Sequence, residues 1–82
     1  SDEYRKGIWD MSLNPLKKDE IATANESGVV VIYDTESLQM KKIFGPNEPG
    51  RIYSIEYSND GKMIFVGTGN GIHCYDTTSY TS

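Results

Sequence analysis

A strand-like pattern occurs twice in this chain. Gly28-Val29-Val30-Val31-Ile32-Tyr33-Asp34-Thr35 returns as Asn70-Gly71-Ile72-His73-Cys74-Tyr75-Asp76-Thr77, 42 positions later. The upstream segment repeats as well, Ile8-Trp9-Asp10-Met11-Ser12-Leu13-Asn14-Pro15 matching Ile52-Tyr53-Ser54-Ile55-Glu56-Tyr57-Ser58-Asn59 at an offset of 44. The difference between the offsets falls between the two blocks, where Leu16-Lys17-Lys18-Asp19-Glu20 takes more chain than Asp60-Gly61-Lys62-Met63, as a surface turn would. A repeat of roughly 40 to 50 residues that cannot bury its own faces belongs to a stacked or radial array.

At 82 residues the chain buries little apolar surface per residue ordered, so an independent core is hard to build. The 37% hydrophobic and 24% charged composition is that of an ordered protein. A net charge of −4, with Lys17-Lys18 and Lys41-Lys42 no more than dipeptides, argues against a phosphate-backbone binder, and no nucleic-acid partner is expected. The single cysteine cannot make an internal disulfide, which fits a reducing, intracellular setting, cytoplasmic or nuclear. The longest apolar run, Val29 to Tyr33, is far short of the about 20 residues that span a bilayer, so no membrane insertion is expected. An opening Ser1-Asp2-Glu3 without an initiator Met hints at a piece of a longer polypeptide.

The strand reading follows from periodicity. Ile8, Met11 and Leu13 are spaced i, i+3, i+5, and Ile52, Ile55 and Tyr57 repeat that spacing, where strict alternation would give i, i+2, i+4. One extra residue near the start of each first strand predicts a β-bulge that re-aims Trp9 and Tyr53 toward the strand end. Pro15 and the Asn59-Asp60-Gly61-Lys62 turn close these strands. Second strands are expected over residues 20–25 and 63–68, with short glycine-containing connections to third strands over 29–33 and 72–75. The third strands, β-branched and nearly continuous in apolar character, should be buried on both faces. A fourth strand is expected over residues 38–44, its Gln39, Lys41 and Lys42 giving it edge character. No window has a sustained helical period.

Four antiparallel strands per unit, with a third strand ending in aromatic-Asp as Ile32-Tyr33-Asp34 and Cys74-Tyr75-Asp76, resemble the WD-repeat β-propeller family across essentially the whole chain. The family's Gly-His before the first strand has no counterpart between Gly45 and Arg51, and its turn Asp is replaced by Ser27 and Gly69. Asn25-Glu26-Ser27-Gly28 running into Val29 also resembles the YVTN-type propeller repeat. Either resemblance implies an all-β fold of two four-stranded antiparallel propeller blades, part of a larger β-propeller. The first blade covers residues 8–44, and the second, residues 51–82, lacks most of its fourth strand. A ring needs about four to eight blades, so the remainder must come from a parent chain or from other copies.

Chemistry-bearing residues are few. His73 and Cys74 are adjacent on a strand and point to opposite faces, so they cannot readily share a metal, and no metal or other cofactor is expected. Asp34 and Asp76 fit turn formation better than catalysis. Gly67-Thr68-Gly69-Asn70-Gly71 lacks the Lys-Ser/Thr of a phosphate loop and reads as a hairpin connection. No catalytic residue is proposed. By the resemblance, the start of the first strand lies at the rim of the propeller channel, where partners dock. Trp9, Tyr53 and Arg51 would belong to that docking face, joined by Glu26 and Thr68. Trp, Tyr and Arg are favoured hot-spot residues, whereas the alternative use of Trp9 and Tyr53 is packing between neighbouring blades. The function implied is a non-catalytic scaffold for protein partners in a multiprotein assembly. An enzymatic or ligand-sensing YVTN-type propeller, or a two-blade chain that oligomerises into a ring, is the alternative.

Overall fold

The bulge expected near the start of each first strand is present in both copies, and it shapes one end of the molecule. The computed structural model describes residues 7–46 and 52–81. These form strands β1 (Ile8–Leu13), β2 (Glu20–Asn25), β3 (Val30–Asp34), β4 (Met40–Phe44), β5 (Ile52–Tyr57), β6 (Met63–Thr68) and β7 (Gly71–Asp76), with no helix among the described residues. All pairings are antiparallel between sequence neighbours, giving a four-stranded sheet β1-β2-β3-β4 and a three-stranded sheet β5-β6-β7. In the first sheet Ile8 pairs with Asn25 and Asp10 with Ala24, so Trp9 is the extra residue. In the second, Ile52 pairs with Thr68 and Ser54 with Gly67, which leaves Tyr53 in the same position.

The two sheets pack face to face, and the register shows which faces meet. Ala22 pairs with Ile32 and Ala24 with Val30, so these four side chains share one face of the first sheet. Across from them Ile55, Tyr57, Ile64, Val66 and Tyr75 share one face of the second sheet, and all nine belong to one buried cluster. Small alanines on β2 let β5 approach closely. Phe44 completes the seam, its ring centroid 5.1 Å from those of both Tyr75 and Tyr80. Truncating Ile32 or Ile64, both fully buried, to Ala should destabilise by about 2 to 5 kcal/mol.

The limits of three strands and one burial expectation differ from the sequence reading. The fourth strand begins at Met40 rather than residue 38, because Leu38 takes a left-handed φ of 60° in the preceding turn. The third strands are Val30–Asp34 and Gly71–Asp76, each reaching the Asp that caps the next turn. β3 is buried on both faces as expected, but β7 is not, since Ile72 is 80% exposed. β7 is the outer strand of its sheet, and only the face carrying Tyr75 meets the first sheet. Met11, Leu13, Met40 and Ile43 on the far side of the first sheet are likewise exposed, as is Phe65 on the far side of the second.

Candidate functional site

The starts of β1 and β5 and the ends of β2 and β6 lie at one end of the sheets, and four of the five candidate residues are brought there. Trp9 is 50% exposed and Tyr53 61% exposed, at equivalent positions of the two bulges. The sheet preceding that of Tyr53 is present in the structure, and Tyr53 is not part of the buried cluster between the two sheets. It lies over its own β6–β7 turn, 3.9 Å from where a side chain on Gly69 would begin. The fifth candidate, Arg51, lies outside the described residues.

Glu26 is exposed beyond the end of β2. Its backbone N–H donates to the Gly7 carbonyl at 3.0 Å, and its side chain folds across Gly7 so closely that a Cβ there would collide with it at 2.6 Å. Gly7 also has a φ of +66°, a conformation that favours glycine at the mouth of β1. Thr68 closes the β6–β7 turn, its hydroxyl accepting from the Asn70 N–H at 3.1 Å and donating to the Gly71 carbonyl at 3.3 Å. The equivalent residue of the first sheet, Asn25, accepts from the Ser27 N–H at 2.9 Å through its own side chain.

The rim is held by residues that the strand pattern alone does not single out. Asp10 spans both bulges, Oδ1 accepting from its neighbour Met11 N–H at 2.9 Å and Oδ2 from Ile55 N–H of the second sheet at 3.0 Å. Ser12 Oγ accepts from Tyr57 N–H at 3.2 Å. The Ile55 and Tyr57 donors sit on the edge of β5 away from β6, where no strand among the described residues supplies a carbonyl. The available signal was the pair of polar acceptors Asp10-x-Ser12, which returns as Ser54-x-Glu56.

The acids expected to form turns do so in matching fashion. Asp34 Oδ1 accepts from the Glu36 and Ser37 N–H groups at 2.9 and 2.8 Å, and Asp76 Oδ1 from those of Thr78 and Ser79 at 2.6 and 3.3 Å. Hydrogen bonds from Ser37 N–H first, then Glu36 N–H, hold the Asp34 carboxyl below the usual carboxylate range, and those from Thr78 and Ser79 do the same for Asp76. Among the described residues no group of three or more His, Cys, Asp or Glu side chains could hold a metal ion. No helix there is long and apolar enough to cross a membrane.

No family model matches the sequence, and no curated protein matches it. Solved structures do. A structure of U3-55K superposes with a TM-score of 0.81 at 17% identity, covering 92% of this chain and 24% of that one. The WD40 repeats of RRP9 give a TM-score of 0.79 at 18% identity, over 92% and 24% of the two chains. A chain of the mitotic checkpoint complex gives 0.69 at 28% identity, over 87% and 22%. The all-β fold is thus that of WD-repeat-like propeller blades, and the chain spans about a quarter of the length of the structures it matches.

Proposed function

From the WD-repeat propeller fold we propose that this chain is a segment of a non-catalytic scaffold that holds protein partners in a multiprotein assembly. The observation that carries this reading is the exposure of Trp9 and Tyr53 at two equivalent bulges on one rim. An aromatic pair held outside the core by an irregularity repeated in both sheets suits a docking role, because rigid aromatics give large contact area at little entropic cost. Glu26 supplies charge at this rim, Arg51 is proposed to contribute from just before β5 in the sequence, and Thr68 holds the turn against which Tyr53 rests. Residues 8–44 form a first blade in this scaffold and 51–82 a second. Further blades cover the exposed far faces around Met11 and Phe65. That one similar structure is of a mitotic checkpoint complex supports an assembly of proteins as the setting.

Alanine substitutions at Trp9, Tyr53 and Arg51 in the parent protein test the reading. Capture of its protein partners should weaken while the unfolding transition stays within about 0.5 kcal/mol of the unsubstituted protein, as for surface changes. Loss of the fold in Trp9→Ala, or unchanged capture, contradicts it.

A further inference from the structure

The seam between the two sheets pairs unlike faces, and the face that the first sheet presents to it returns on the outside of the second. On the first sheet that face has two rows, Asp10-Ala24-Val30 and Ser12-Ala22-Ile32. The same pairings set Ser54-Gly67-Ile72 and Glu56-Phe65-Cys74 on the far face of the second sheet. Val30 and Ile32 are fully buried by the neighbouring sheet, whereas Ile72 and Phe65 are exposed. The far face of the second sheet thus repeats a surface that, in the first, is covered.

The polar ends of the two rows repeat as well. Asp10 and Ser12 accept the Ile55 and Tyr57 N–H groups across the seam at 3.0 and 3.2 Å. Ser54 and Glu56 stand at the same two register positions, both exposed and both able to accept. The reach of each follows the bulk beside it. Ser54, shorter than Asp10, pairs with Gly67, where an added Cβ would stand 2.5 Å from Ser54 Oγ. Glu56, longer than Ser12, pairs with Phe65, where the first sheet has Ala22. A strand laid over this face would come closer at Gly67 and stand farther off at Phe65, and each acceptor has the length its row needs. A hollow of about 280 Å³ already lies there, with Ser54, Glu56, Phe65, Gly67 and Ile72 in its lining.

We propose that this face receives the first strand of the following propeller sheet edge-on, with Ser54 Oγ and the Glu56 carboxylate accepting two alternate backbone N–H groups of that strand. Such a latch rests on the propeller reading above and adds to it how one sheet is fastened to the next: a pair of side-chain acceptors takes the place of the carbonyls a paired strand would supply. Hydrogen exchange of the parent protein, read at single-amide resolution, tests it. In Ser54→Ala combined with Glu56→Ala, two alternate amides of the following first strand should exchange at least about tenfold faster, while the β6 amides keep their protection. Glu56→Gln, which keeps an acceptor oxygen, should lose less than Glu56→Ala. Asp10→Ala, which frees the Ile55 amide in the same way, sets the scale. Trp9→Ala should leave the following strand unchanged, so loss of partner capture in that variant bears on the docking rim and not on the latch. Protection indifferent to the Ser54 and Glu56 substitutions, equal losses in Glu56→Gln and Glu56→Ala, or protection that rises with protein concentration, as for a second copy seated there, would each overturn it.

Discussion

Asp10 and Ile55 are joined across the seam between the two sheets, the Asp10 carboxylate accepting the Ile55 N–H at 3.0 Å while its other oxygen holds Met11 of its own strand at 2.9 Å. One side chain thereby fixes the first bulge and ties it to the strand that carries the second. The positions of Trp9 and Tyr53 depend on this link.

Asp10→Ala should therefore lower stability by about 1 to 3 kcal/mol, since it leaves a part-buried donor without its charged acceptor. Asp10→Asn, which keeps an acceptor oxygen, should lose less. Urea unfolding of the two variants beside the unsubstituted chain measures the difference. Equal losses would mean that the hydrogen bond does not carry the effect.

Gly61 lies at the other end of the seam, at φ +73°, where a Cβ would stand 2.8 Å from Asn14 Oδ1 and 2.8 Å from Leu16 Cβ. Gly61→Ala should cost about 1 to 2 kcal/mol from the left-handed backbone alone. Displacement of the Asn14 turn adds to that, because Asn14 Oδ1 already holds the Leu16 and Lys17 N–H groups at 2.8 and 3.2 Å. Thermal unfolding, together with the amide shifts of Asn14, Leu16 and Lys17, reads both parts.

The bulges were legible in the sequence because an i, i+3, i+5 apolar spacing fits a strand only if one residue is extra. The turn roles of Asp34 and Asp76 were legible because a carboxylate after a strand readily takes the next backbone N–H groups. The apolar run at Ile72 gave the wrong answer for β7, since β-branched composition cannot say whether a second layer lies on the far face. Nor could pattern find Leu38 at positive φ, a conformation rare for leucine. Asp10 and Ser12 pair with Ala24 and Ala22 and so share their face. Only the packed sheets show that the N–H groups they reach belong to the next one.

Acid should weaken the fold through its turn carboxyls. Asp34, Asp76 and Asp60 are all held below their ordinary pKa, the first two chiefly by backbone N–H groups and Asp60 chiefly by the Ser58 hydroxyl. A folded-state pKa below the unfolded one means that the stabilisation is fully present above about pH 4 to 5 and is lost as pH falls through the lowered values. Unfolding midpoints between neutral and strongly acidic pH should fall accordingly. The decline should be shallower in an Asp34→Asn, Asp76→Asn variant, whose amides accept hydrogen bonds but do not titrate.

The most direct test of the docking surface uses Trp9, the chain's single tryptophan, as its own reporter. In the free protein its fluorescence should be readily quenched by acrylamide, as befits a half-exposed indole. When a protein partner is bound, the emission should shift to the blue and the quenching should fall. A Trp9 that quenches equally well with the partner bound would contradict the assignment of this rim as the docking surface.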